Sequence, residues 1–302
     1  MSAAVARMAA LARYYGALTR ARALAGTRAL RDGPTAGELL LEADVATALG
    51  GPLGEMYRRP IEAGLTTMVR QTEAEIGRSV LRFYEERPDV IAGVTGVLRR
   101  SARRGFDLGG QMGLDELGLE GQFDLAEPAL IDQLDSHVNG LVDTRPEADM
   151  SLAVTTAREL GREVSRRRDL GETVVDMLPA LSAWVLGRTV IRSAMIAETE
   201  TVRMTRWGMV SAFVGNGVRG VRHECEADVD DRCFGKICPP FCGVEYELTG
   251  VLDPMGGIPS GAQIPLHPNC RCFYLPRMDG WLKPALIWTG FALALLNNEE
   301  EQ

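Results

Sequence analysis

The stretch from His223 to Pro276 constrains the fold more than any other part of the chain. It holds all six cysteines (Cys225, Cys233, Cys238, Cys242, Cys270 and Cys272) and two of the three histidines, His223 and His267. The cysteine spacing is C-x7-C-x4-C-x3-C-x27-C-x-C, and His267 stands three residues before Cys270. A zinc ion takes four thiolate or imidazole donors in a tetrahedron, commonly from two short-spaced pairs joined by a loop. Cys238-Pro-Pro-Phe-Cys242 offers one pair, and His267, Cys270 and Cys272 offer the other, with His223, Cys225 and Cys233 as additional donors. The prolines and glycines around them set turns that point donors inward. Disulfides, or reduced and partly paired thiols, satisfy the same composition. The lack of an N-terminal apolar signal argues against an oxidising compartment. Eight donors leave one ion or two open.

Helical periodicity vanishes in this segment, and eight of the 15 prolines lie between Pro239 and Pro284. Val244-Glu-Tyr-Glu-Leu248 alternates as a hairpin strand does, and Asp253-Pro-Met-Gly-Gly reads as a loop. So few strands enclose little core, and a metal is expected to supply what packing does not.

The chain before this segment is helical in pattern. Residues 1–31 carry six arginines and no acid, with Val5, Met8, Ala12 and Tyr15 at helical spacing, which predicts a surface helix or basic docking arm ending near Asp32-Gly-Pro34. Gly50-Gly-Pro52 is expected to break the next segment. Ile76, Val80, Leu81 and Tyr84 form one stripe up to Pro88, and a helix over 89–105 ends in Arg99, Arg100, Arg103 and Arg104, placed to complement its dipole. Pro128 opens a helix to Val142 that carries His137, read as a packed or surface polar residue. Ala153, Ala157, Leu160 and Val164 make another stripe. A helix from Asp169 to Leu178 and a long one over 189–214 follow, separated at Pro179. Glu198 and Arg206 cross the apolar face of the long helix, which predicts an internal polar network. After Trp281, the 12 uncharged residues from Ala285 to Leu296 are too few for a bilayer span of about 20 residues, so no stable membrane span is expected.

The fold class expected is mainly α: a helical body with a long central helix, plus a small C-terminal cysteine-rich α+β module with short strands. Four regions follow: 1–104, an N-terminal helical region of docking arm and helices; 105–220, the helical body; 221–276, the cysteine/histidine-rich zinc module; and 277–302, an apolar helix with an acidic tail. The formal net charge of −8 argues against a polyanion binder held by its overall field. No P-loop, G-x-S-x-G elbow or H-E-x-x-H motif occurs, so no enzyme is expected.

Several segments together carry a resemblance. Leu108-Gly-Gly-Gln, Arg192-Ser-Ala-Met-Ile-Ala-Glu-Thr-Glu200, the Cys238–Cys242 knuckle and above all Pro265-Leu-His-Pro-Asn-Cys-Arg-Cys272 resemble the Mu F-like head-morphogenesis proteins of tailed phages, over residues 105–276. The resemblance implies a minor capsid protein at or near the portal vertex inside the head, made in the host cytoplasm, acting in head assembly or genome delivery. Its implied partners are the portal protein and the major capsid protein, and packaged DNA could meet the arginine-rich residues 1–31. Two alternatives are a metal-dependent enzyme, with Glu224, Glu226 or Glu245 as base, and a nucleic-acid-binding zinc module. Acids around the cysteines disfavour the latter.

Overall fold

The computed structural model describes residues 36–123, 128–148, 151–225, 237–249, 255–266, 270 and 272–279. The arginine-rich residues 1–31, Cys233, His267 and the apolar tail lie outside the described residues. Six α-helices occur among those described: α1 (Ala36–Met68), α2 (Glu73–Glu86), α3 (Pro88–Glu116), α4 (Pro128–Leu141), α5 (Leu152–Asp169) and α6 (Val174–Gly215). A small sheet follows, with β1 (Gly220–Glu224), β2 (Glu245–Glu247) and β3 (Phe273–Pro276). The protein is therefore mainly helical, with one long helix and a short-stranded cysteine-bearing region at its C-terminal end.

The chain forms two compact units. Residues up to Arg104 with Glu127–Thr201 make unit 1, and Gly105–Ala126 with Val202 onward make unit 2. Residues 105–220, expected as one helical body, are distributed over both units.

In unit 1, α2 begins with a capping box: Thr72 accepts from the Glu75 backbone N–H, and the Glu75 carboxylate accepts from Thr72 N at 2.8 Å. Ile76, Val80, Leu81 and Tyr84 are buried as their spacing predicts, each contributing about 1.5–3 kcal/mol of transfer free energy. The α5 stripe of Ala153, Ala157, Leu160 and Val164 is likewise buried, and Ser151 caps that helix. Gly161 lets α5 approach α2 closely, since a Cβ there would lie 2.7 Å from Glu73 O.

Three boundaries differ from expectation. α1 runs unbroken through Gly50, Gly51 and Pro52, because Leu49, Leu53, Met56 and Tyr57 on its inner face are fully buried and their packing outweighs local propensity. α3 continues past Gly105 to Glu116, so its arginines are not at a helix end. Arg99 and Arg103 instead pair with Asp135 at 3.0 and 3.6 Å, and Arg104 with Asp44 at 3.2 Å. α6 passes through Pro179 as one helix of 42 residues. By length and composition α6 is the one helix among the described residues able to cross a membrane. Val175, Leu178 and Leu186 on it are exposed.

The polar network of unit 1 centres on Arg192, which is 3 % exposed. Its Nη1 donates to Tyr57 Oη at 2.6 Å and Thr156 Oγ1 at 2.7 Å, and lies 3.3 Å from Glu159 Oε2. Its Nη2 donates to Leu152 O and Thr155 Oγ1. Tyr57 in turn donates to Glu159 Oε2 at 2.5 Å, and Arg188 pairs with the same carboxylate. Burial raises the Glu159 pKa, but the hydrogen bonds from Arg188 and Tyr57 and the nearby charge of Arg192 outweigh it, leaving the carboxyl below its ordinary range. A depressed folded pKa gives stability that is complete above the unfolded value and lost as pH falls through the folded one. Unit 1 is expected to weaken on acidification below about pH 4.3. Urea unfolding followed by hydrogen exchange in α5 should show this loss, and Glu159→Gln should flatten it. His137, read as a packed or surface polar residue, bonds to Glu200 at 2.8 Å.

Unit 2 is organised by a helix crossing. Gly109 and Gly113 share one face of α3, and Gly208 faces them from α6. A Cβ on Gly109 would overlap Thr205 O, one on Gly208 would overlap Phe106 O, and one on Gly113 would lie 2.8 Å from Ala212 Cβ. Only bare backbone fits. The other residues of the Leu108-Gly-Gly-Gln segment act locally: Gly110 leaves room for the Phe123 ring, and Gln111 accepts from Phe123 N at 3.2 Å. The short strands are not coreless. Met209, Val210 and Phe213 of α6 and Leu117 form one cluster with Val221, Met255, Ile258, Ile264 and Tyr274.

Candidate metal centre

The sheet order is β2-β1-β3 with both pairings antiparallel, so Val244–Leu248 does not make a hairpin of its own but pairs with β1. Val221 and His223 point inward and Arg222 outward, the alternation of a half-buried strand. His223 lies opposite Tyr274 in the β1–β3 register. Continuing that register by two residues sets Cys225 opposite Cys272, on the same face as His223 and Tyr274. The strands thereby gather donors distant in sequence: one ligand atom each from His223, Cys225 and Cys272 lie within 4.8 Å of one another.

A second group meets the first at Cys272. The sulfurs of Cys238, Cys270 and Cys272 also lie within 4.8 Å of one another. Cys238 is held by the 3-10 turn over Pro239–Phe241, whose Phe241 N donates to Cys238 O at 2.9 Å. Cys238, Cys270 and Cys272 are buried and not joined in a disulfide. Hydrogen bonding with Cys270, then burial, then repulsion from Cys270 and Cys238 push the Cys272 thiol far above its ordinary range. Thiols held protonated in this way would release their protons on binding a metal ion.

His223 is 0 % exposed, stacked on Phe241 and edge-on to Tyr274. Burial pushes its pKa down to about 4, so the ring is neutral at pH 7. Among the described residues neither ring nitrogen has a hydrogen-bond partner. Unsatisfied buried polar atoms are costly, and a neutral imidazole beside thiols is a metal donor without further change. These groups could hold a metal ion. Beneath them Arg206, 4 % exposed, donates from Nε to Cys272 O at 3.1 Å. This guanidinium is the polar crossing expected at Arg206, while Glu198 is half-buried.

Of the expected donors, Cys238, Cys270 and Cys272 come together, and His223, an additional donor in the sequence, meets this group at Cys272. Cys242 does not act as the partner of Cys238; it forms a disulfide with Cys225, with Cα atoms 5.5 Å apart. The cause is the chain path. His223 N donates to Val244 O at 2.9 Å and Gly243 N to His223 O at 2.7 Å, which lays Cys242 beside the end of β1. The expected donors Cys233 and His267 lie outside the described residues. No family model, curated protein or solved structure matches the chain.

Proposed function

We propose that this chain is a non-catalytic minor capsid protein of a tailed-phage head, acting at or near the portal vertex in head assembly or genome delivery. In this reading a structural zinc ion, held by His223, Cys238, Cys270 and Cys272, locks its C-terminal region. The observation that carries the zinc reading is the orphaned, fully buried His223 beside the buried Cys272, whose sulfur also meets those of Cys238 and Cys270, since closed thiolate-rich sites are the structural kind. Two of these donors, Cys270 and Cys272, belong to the Pro265–Cys272 segment that also carries the phage-head resemblance. Three thiolates and an imidazole around Zn2+ leave one net negative charge, which the buried Arg206 offsets. Glu224 and Glu245, candidate bases for an enzyme, are tied to Arg222 at 2.5 Å and Arg277 at 3.2 Å. The exposed Val175, Leu178 and Leu186 give unit 1 an apolar face for a protein partner.

Elemental analysis with free-thiol counting tests the metal: one zinc per chain supports it, and none sinks it. Arg206→Met is expected to lower zinc affinity about tenfold in chelator competition, the usual scale for a group that supports a ligand from behind. Leu178→Glu with Leu186→Glu should abolish co-purification with the portal protein while leaving the circular dichroism spectrum intact. Undiminished portal binding would remove that face from the reading.

A further inference from the structure

Cys225 occupies two incompatible positions at once. Its sulfur lies within 4.8 Å of donor atoms of His223 and Cys272, yet it is bonded to Cys242. A thiolate binds a metal strongly, whereas a disulfide sulfur carries no charge and is a poor ligand. We propose that the metal centre is redox-gated: opening the Cys225–Cys242 bond lets the Cys225 thiolate replace the neighbouring His223 imidazole among the ion's four donors, and closing it withdraws that thiolate and loosens the ion. The proposal rests on the metal reading above and adds its regulation.

Exposure makes the gate addressable. Cys242 is exposed and Cys225 half-buried, whereas Cys238, Cys270 and Cys272 are buried. A small thiol therefore meets the disulfide at Cys242 Sγ, with the three inner sulfurs shielded. Attack there forms a mixed disulfide with Cys242 and expels the Cys225 thiolate, which already sits among the ligands. A second thiol of the reductant then releases Cys242, so two electrons and two protons enter the protein as the reductant becomes a disulfide. The Cys225 proton is displaced when that sulfur binds the ion. In the reverse direction a diazene or a low-molecular-weight disulfide takes two electrons from the two sulfurs, one proton from Cys242 and one from water. The Cys225–metal bond breaks as the Cys225–Cys242 bond forms. Both sulfurs flank the same carbonyl, Cys225 Sγ at 3.6 Å and Cys242 Sγ at 3.4 Å from Cys238 O, so they remain neighbours in either state.

The test uses full-length protein loaded with one equivalent of zinc, reduced with a phosphine or oxidised with the diazene diamide, and challenged with a colorimetric chelator. Zinc release is expected to be about tenfold faster from the oxidised form, on the scale at which supporting groups tune metal sites. Peptide mapping should find Cys225 joined to Cys242. Cys242→Ser, which leaves Cys225 without that partner, should release slowly under both conditions, and Cys225→Ser quickly under both. Equal release from the two wild-type forms, or an undiminished diamide response in Cys242→Ser, would overturn the gate while leaving the zinc site standing. Zinc absent from both forms would instead overturn the metal reading itself, and the gate with it.

Discussion

Gly208→Ala is expected to cost unit 2 about 3 kcal/mol or more, at the upper end of overpacking effects. The added methyl would overlap Phe106 O, and its next neighbour, Gly110 N, lies 2.7 Å away. Both obstacles are backbone, so no rotamer change relieves them, and α3 and α6 must separate along their crossing. Gly109→Ala meets Thr205 O in the same way and should behave alike. Gly50→Ala is the control. It also sits inside a helix, but nothing lies within 4 Å of its Cβ position. There the gain in helix propensity should stabilise the protein by about 0.5–1 kcal/mol. Denaturant unfolding of the three variants checks the sign as well as the size. A neutral Gly208→Ala would mean that the helices are not in backbone contact.

Chelating the proposed ion should raise amide exchange in β1, β3 and the 3-10 turn about a hundredfold, equivalent to roughly 2.7 kcal/mol. α2 and α5, which hold no donor, should keep their protection. Zinc binding in small metal-dependent domains is worth far more, about 10 kcal/mol or above. The smaller figure reflects the apolar cluster of Met209, Phe213, Val221 and Tyr274, which persists without metal. Cys270→Ser should reproduce the chelated pattern in the presence of zinc. Exchange indifferent to both treatments would leave the region held by packing and the Cys225–Cys242 bond alone.

The legible parts of the fold were those governed by a single period. The stripes on α2 and α5 were buried as spacing required, because a 3.6-residue repeat is decided locally. Gly50-Gly-Pro52 misled because four large side chains around it pack into unit 1, a fact that no window of sequence contains. Leu108-Gly-Gly-Gln carried only a resemblance in the sequence, yet Gly109 and Gly113 are where α6 comes closest to α3. In the candidate metal centre, composition identified the cysteines, but spacing left His223 an additional donor. Its inward position came from strand parity, which Val221, Arg222 and His223 carry faintly because histidine scores as polar. Likewise the Cys225–Cys242 bond followed from the register of the returning chain and not from the 17 residues that separate the pair. Arg206 was visible as a cation in an apolar stripe; its acceptor, the Cys272 carbonyl, was not.

Each compact unit is stitched from two stretches of chain, with Gly105–Ala126 separated from the rest of unit 2 by Glu127–Thr201. A ribosome therefore delivers the glycine-faced end of α3 well before the end of α6 that covers it, and the nascent chain can finish unit 1 while that groove still waits. The strands that carry the candidate donors follow α6 in the chain, so an ion bound there would come after unit 1 and could not begin its folding. A fragment meant to isolate unit 2 cannot be made with one cut; it needs 105–126 spliced directly to 202 onward.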